Sequence, residues 1–155
     1  MQITLLTHSK ELVRPTNTGQ LVMACHGLTV ERRVWQRNQP DAQLLACMTQ
    51  QPSVLLYPSD DAQPVNFSGG YEHLILLDGT WQEARKMYNR SPYLQALPAW
   101  QLDNLPTSQY RLRRNQQAGA LCTAEVVIAL LQMAGMAQDA TALQVAFEVF
   151  NQAQS

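Results

Sequence analysis

Two short apolar runs constrain this chain more than any other feature. Ser53–Tyr57 reads Ser-Val-Leu-Leu-Tyr and is stopped by Pro58-Ser59-Asp60-Asp61. Leu74–Leu77 reads Leu-Ile-Leu-Leu and is stopped by Asp78-Gly79. A strand with one wet face alternates polar and apolar residues, whereas a strand covered on both faces is apolar throughout. Short runs ending at turn residues therefore predict buried parallel strands. Weaker alternation predicts further strands at Gln2–Thr7 and Leu28–Trp35, and Pro15-Thr16-Asn17-Thr18-Gly19 reads as a turn.

Helices fill the intervals. Asp41–Gln50 reads as a short helix with Asp41 as N-cap, and from Trp81 onward Trp81, Ala84, Met87 and Tyr88 share one face. Thr123 is a candidate cap for a helix reaching about Met136, polar only at Glu125 and Gln132 and hence mostly buried. A last helix from about Asp139 carries Leu143, Phe147 and Phe150 along one stripe, for the core or for a dimer. Strands alternating with helices over 155 residues, without an internal repeat, predict a single α/β domain spanning 1–155 with a mainly parallel sheet flanked by helices.

Composition excludes several classes. The start, MQITLLTHSKE, lacks a basic leader, and no apolar stretch nears the ~20 residues that span a bilayer, so neither a targeting peptide nor a membrane partner is expected. Cys25, Cys47 and Cys122 are scattered, and His8, His26 and His73 lack ligand spacing; no metal is expected, and the compartment should be reducing and cytoplasmic. Charge is segregated although the net is −1: residues 1–37 carry +3, 38–84 carry −6, 85–114 carry +5 and 115–155 carry −3. Taken singly, each cluster reads as a solvated face. If the two basic blocks converge in the fold, they form a patch for phosphates, and most of the basic residues are Arg.

The chemistry concentrates at Asp78-Gly79-Thr80-Trp81, where a buried strand turns at once into a helix. In open parallel sheets, ligand crevices lie at such carboxyl ends, beside helix N-termini. Leu77, Trp81 and Tyr57 would strip water from the Asp78 carboxyl and favour its neutral form. A turn and a helix cap account for the same residues without any ligand.

Asp78-Gly79-Thr80-Trp81 followed by Ala84-Arg85-Lys86-Met87 resembles the signature of the DTW-domain family. Ser108-Gln109-Tyr110-Arg111-Leu112-Arg113 and Leu121-Cys122-Thr123-Ala124-Glu125 are similar to its second block. Arg14-Pro15-Thr16-Asn17-Thr18-Gly19 resembles its first block, and Tyr57-Pro58-Ser59-Asp60 a strand-end motif between them. The blocks stand in family order over nearly the whole chain. The resemblance implies a SPOUT-like fold with a C-terminal trefoil knot. It also implies transfer of the 3-amino-3-carboxypropyl group from S-adenosylmethionine to N3 of a tRNA uridine. Many members carry a cysteine-rich zinc cluster ahead of the first block; no such cluster precedes it here, which leaves the manner of tRNA docking open.

Under this resemblance Asp78 is the candidate catalytic residue, either as the base for the N3 proton or as the group that orients the donor's amine. The candidate donor-binding set is Tyr57, Ser59, Leu77, Thr80, Trp81, Arg111, Thr123 and Glu125. Trp81 is a stacking face or a core residue; Thr80 and Thr123 are ligands or caps; Arg111 takes the donor carboxylate or a core ion pair. The candidate RNA-binding set is Arg14, Asn17, Thr18, Arg85, Lys86, Arg113 and Arg114. A knotted-superfamily RNA methyltransferase and a non-catalytic RNA-binding domain are the competing readings. Monomer and homodimer both stay open.

Overall fold

The computed structural model describes residues 1–102 and 121–153. Six strands form one sheet in the order β2-β1-β5-β3-β6-β4, and every neighbouring pair is parallel. They are β1 (Gln2–His8), β2 (Thr29–Trp35), β3 (Ser53–Leu56), β4 (Gln63–Pro64), β5 (His73–Asp78) and β6 (Ala99–Gln101). The helices are α1 (Gly19–Met23), α2 (Ala42–Gln50), α3 (Trp81–Asn89), α4 (Pro92–Gln95), α5 (Thr123–Met133) and α6 (Ala137–Ala153). A 3-10 turn, Ser9–Val13, leads out of β1. None of these helices is long and apolar enough to cross a membrane.

The unbroken apolar runs are explained by burial on both faces of the sheet. Side chains alternate along a strand. Leu74 and Leu76 of β5 join Ile3, Leu5 and Val54 under α5 and α6, where Val127, Leu131, Leu143 and Phe147 complete the core. Ile75 joins Leu6 and Leu55 on the opposite face, against Leu44, Met87 and Leu94. Leu143 and Phe147 therefore belong to the core, which resolves the alternative of a dimer stripe for these two.

The α2 and α5 termini follow local rules. Asp41 caps α2 by accepting from the Leu44 N–H at 2.9 Å. The helix expected to run to about Met136 ends at Met133, because Gly135 takes φ +77° and the N–H groups of Gly135 and Met136 bond back to the carbonyls of Gln132 and Leu131.

His73, at the start of β5, is fully buried and pins three strands together. Its Nδ1 and Nε2 each lie 2.8 Å from a hydroxyl, of Ser53 on β3 and Thr4 on β1 respectively. Ser53 spends its own proton on the Gln51 carbonyl, so Nδ1 must be the donor and Nε2 the acceptor from Thr4. This histidine is structural and neutral.

Candidate functional site

The carboxyl ends of β3, β5 and β6 open into a cavity of about 220 Å³ between the first turns of α3 and α5. Leu56, Leu76, Trp100 and Val126 form its apolar floor, and Tyr57, Leu77, Trp81 and Thr123 stand among its walls. No charged side chain lines it among the described residues. Trp81 lies near-parallel to Tyr57 with ring centroids 6.1 Å apart, and Tyr57 stacks on Tyr88 at 4.1 Å. Burial raises the Tyr57 phenol above its ordinary value, against a smaller lowering by nearby Arg85. A larger cavity, about 630 Å³, lies around the opposite strand ends, near Ile3, Leu74 and Leu131.

Asp78 ends β5 and is only 1% exposed. The apolar surroundings expected for it are replaced by donors. Its Oδ1 accepts from the Thr123 hydroxyl at 2.8 Å and from Asn17 Nδ2 at 3.0 Å. Its Oδ2 accepts from the Thr7 hydroxyl at 3.1 Å and from Arg32 Nη2 at 3.1 Å. Two oxygens supply about four lone-pair sites, and all of them are engaged. The carboxylate does not line the cavity; it meets the cavity wall through Thr123.

Arg32 is the residue that sequence reasoning missed. It reaches Asp78 from β2, two strands away, and also donates to Asn17 Oδ1 at 2.8 Å. Its signal was only membership of a basic block, because its partner lies far off in sequence. Gly19 is bound to this pair by space: a Cβ there would stand 2.6 Å from Asp78 Oδ2 and 2.7 Å from Arg32 Nη2.

Asn17 and Thr18 correct the expected phosphate cradle, being 5% and 4% exposed with their polar atoms turned inward. Asn17 ties Asp78 to Glu11 at 2.9 Å, and Thr18 accepts from the Ala124 N–H at 3.1 Å, holding the start of α5. Arg14 is likewise committed, to Glu83 through two bonds of 2.9 and 3.0 Å and to Glu11. Burial pushes the Glu83 carboxyl up, but the hydrogen bonds from Arg14 and the Thr80 N–H outweigh it, and the net shift is downward. His8 lies 3.7 Å from Glu83, yet burial lowers its imidazole and its Nδ1 accepts from the Lys10 N–H, so this contact involves a neutral ring.

The remaining expectations divide cleanly. Tyr57, Leu77, Trp81 and Thr123 meet at the cavity. Thr80 caps α3 by accepting from the Glu83 N–H at 3.1 Å, and Glu125 accepts from the Cys122 N–H at 3.1 Å across the start of α5. Cys122, not Thr123, is the N-cap of α5, which frees the Thr123 hydroxyl for Asp78. Ser59 lines a separate groove with Asp60 and Asp61. Arg85 and Lys86 are exposed on α3. Arg111, Arg113 and Arg114 lie outside the described residues. Among the described residues no three His, Cys, Asp or Glu side chains converge as a metal-ligand set.

The family described as DTW domain matches residues 1–155. A Drosophila melanogaster protein named tRNA-uridine aminocarboxypropyltransferase 2 is 33% identical over 133 residues, covering 80% of this chain and 52% of that protein. The chain thus spans about half the length of this curated relative. No solved structure matches significantly.

Proposed function

The chain belongs to the DTW-domain family, and from that premise we propose that it transfers the 3-amino-3-carboxypropyl group of S-adenosylmethionine to N3 of a uridine in tRNA. The observation that carries the reading is the cavity at the strand ends: apolar and aromatic, bounded by Trp81 of the signature and by Thr123 of the second block. About 220 Å³ is below the roughly 300 Å³ at which whole-ligand pockets begin, and it suits the adenine and sulfonium portion of the donor.

Bound there, S-adenosylmethionine would supply a sulfonium-activated carbon: N3 would bond to that carbon as its C–S bond breaks, the electron pair would stay on sulfur as a neutral thioether, and the N3 proton would pass to solvent water. The residues decide which of the two transferable groups is presented. Leu56, Leu76 and Val126 would offer the sulfonium methyl an apolar wall, which would leave the longer arm to face the nucleobase. Trp81 and Tyr57 offer faces that suit an adenine or a cation. Arg111, by resemblance, takes the donor carboxylate.

Asp78 acts here by positioning. Its lone pairs are already filled by Thr7, Asn17, Arg32 and Thr123, which weighs against its receiving the N3 proton directly. By accepting the Thr123 proton it leaves that hydroxyl oxygen as an acceptor, matched to the donor's ammonium. Arg85 and Lys86, with Arg113 and Arg114, are assigned to RNA phosphate. The knotted SPOUT-like arrangement and a reducing, cytoplasmic setting belong to the same reading; three free cysteines fit the latter.

The test is tRNA incubated with donor labelled either in the carboxyl carbon or in the methyl. Label from the carboxyl carbon alone is expected. Label from the methyl alone would overturn the reading in favour of a methyltransferase. RNA bound without either label would make the chain a binding domain.

A further inference from the structure

The two basic blocks of the sequence meet in the fold. Arg37, from the first block, follows β2; Arg90, from the second, is the C-cap of α3. Both line one recess of about 220 Å³, together with Tyr93, Gln36 and Asn38. The other arginines described in the first block are spent: Arg14 on Glu11 and Glu83, Arg32 on Asp78, Arg33 on Glu31. Arg37 and Arg90 are exposed and form no ion pair among the described residues. Asp41, the acid closest to Arg37 in sequence, already caps α2 and lies 3.9 Å from Arg33; it also acts on the Tyr93 phenol.

The recess is connected to the cavity by α3. Trp81 begins the helix at the cavity rim and Arg90 closes it, about 13 Å further along the axis and half a turn round. Arg85 and Lys86 lie exposed between them, and Lys86 is one turn before Arg90. The only acid on α3, Glu83, is held by Arg14. Cations therefore run from the cavity, over the outer surface of α3, to a recess that has two guanidinium groups and an aromatic ring. Paired guanidiniums suit phosphate oxygens, and a span of this length is more than one nucleotide covers.

We propose that the Arg37–Arg90–Tyr93 recess seats the phosphate backbone of a polynucleotide whose target base enters the cavity across α3. This inference rests on the proposed RNA substrate but not on which group is transferred.

The experiment measures tRNA binding by fluorescence anisotropy across a salt series, for the full chain and for R37A/R90A. The expected result is affinity lower by roughly tenfold and a log–log salt slope shallower by about 1.4 to 1.8. Melting temperature and donor binding by calorimetry should be unchanged, and R37K/R90K should keep most of the slope. Arg37→Glu alone gives a second readout in the same direction. Unchanged RNA affinity and slope in a folded variant would overturn the proposal. So would weakened binding of inorganic phosphate without weaker RNA binding, or equal weakening toward a polyglutamate peptide. Loss of RNA binding in the variant, with wild-type chain that transfers no carboxyl label, would leave the seat standing and remove the transferase reading. Unchanged KM for tRNA in the variant, with label transferred, would do the reverse.

Discussion

Thr123 donates its hydroxyl proton to Asp78 across 2.8 Å, and this contact joins the cavity wall to a carboxylate that the cavity itself does not touch. The hydroxyl has one proton, and this bond uses it, so only oxygen lone pairs remain. Toward any further partner the Thr123 oxygen therefore acts as an acceptor.

Thr123→Val keeps the side chain's shape and removes that acceptor. Transfer should fall mainly through a KM for the donor raised about tenfold, equivalent to ~1.4 kcal/mol. Thr123→Ser should restore it. Steady-state kinetics with carboxyl-labelled donor would decide, and an unchanged KM for Thr123→Val would remove this hydroxyl from donor recognition.

Gly19→Ala would press a methyl group against both members of the Asp78–Arg32 pair. Overpacking at such a site costs about 1–3 kcal/mol, and opening the pair leaves a charge buried without its partner. A lower melting temperature is expected, with transfer lost in proportion to the folded fraction or beyond it. Wild-type stability would show that the pair yields without cost.

Stability should also depend on pH through the buried imidazoles. Burial lowers the pKa of both His73 and His8 below the ordinary 6.5. The unfolded chain therefore binds protons first as pH falls, and folding stability is full above about 6.5 and declines below it. Glu83, with its net downward shift, adds a further loss when the pH drops below its ordinary 4.5. Denaturant melts at pH 7.5 and 5.5 should show this fall, and His73→Gln should flatten it in part, leaving the His8 share. A variant profile parallel to wild type would exonerate His73.

Cys122 is 2% exposed, and burial, reinforced by Glu125, pushes its thiol up to about 12. It should resist a maleimide in the native protein, while Cys25 and Cys47, both partly exposed, are modified. Mass spectrometry of the labelled native chain gives the answer, and stoichiometric modification of Cys122 would count against the packing at the start of α5.

What the sequence made legible was local. The apolar runs marked β3 and β5, Asp41 marked the start of α2, and the Trp81, Ala84, Met87 spacing marked α3, because each signal lies within its own element. Ser91-Pro92 is a helix-start signal for α4, but its four residues are too few to show a periodic face. The edge strands β4 and β6 have two and three residues, too few for a pattern. The short helix α1 was hidden behind turn chemistry that Asn17 uses for Asp78. The site's polar logic was illegible for a different reason: Thr7, Arg32 and Thr123 find Asp78 only through tertiary contact, and nothing near each residue announces it.

The donors on Asp78 come from positions 7, 17, 32 and 123, so the last of them leaves the ribosome long after the others. Until α5 emerges, the nascent chain holds an Asp78 at the end of an interior strand with one hydrogen bond unmade, and no wall opposite Trp81. A premature stop anywhere before Thr123 thus leaves the cavity without that wall and Asp78 short of one donor, however well the earlier strands have assembled.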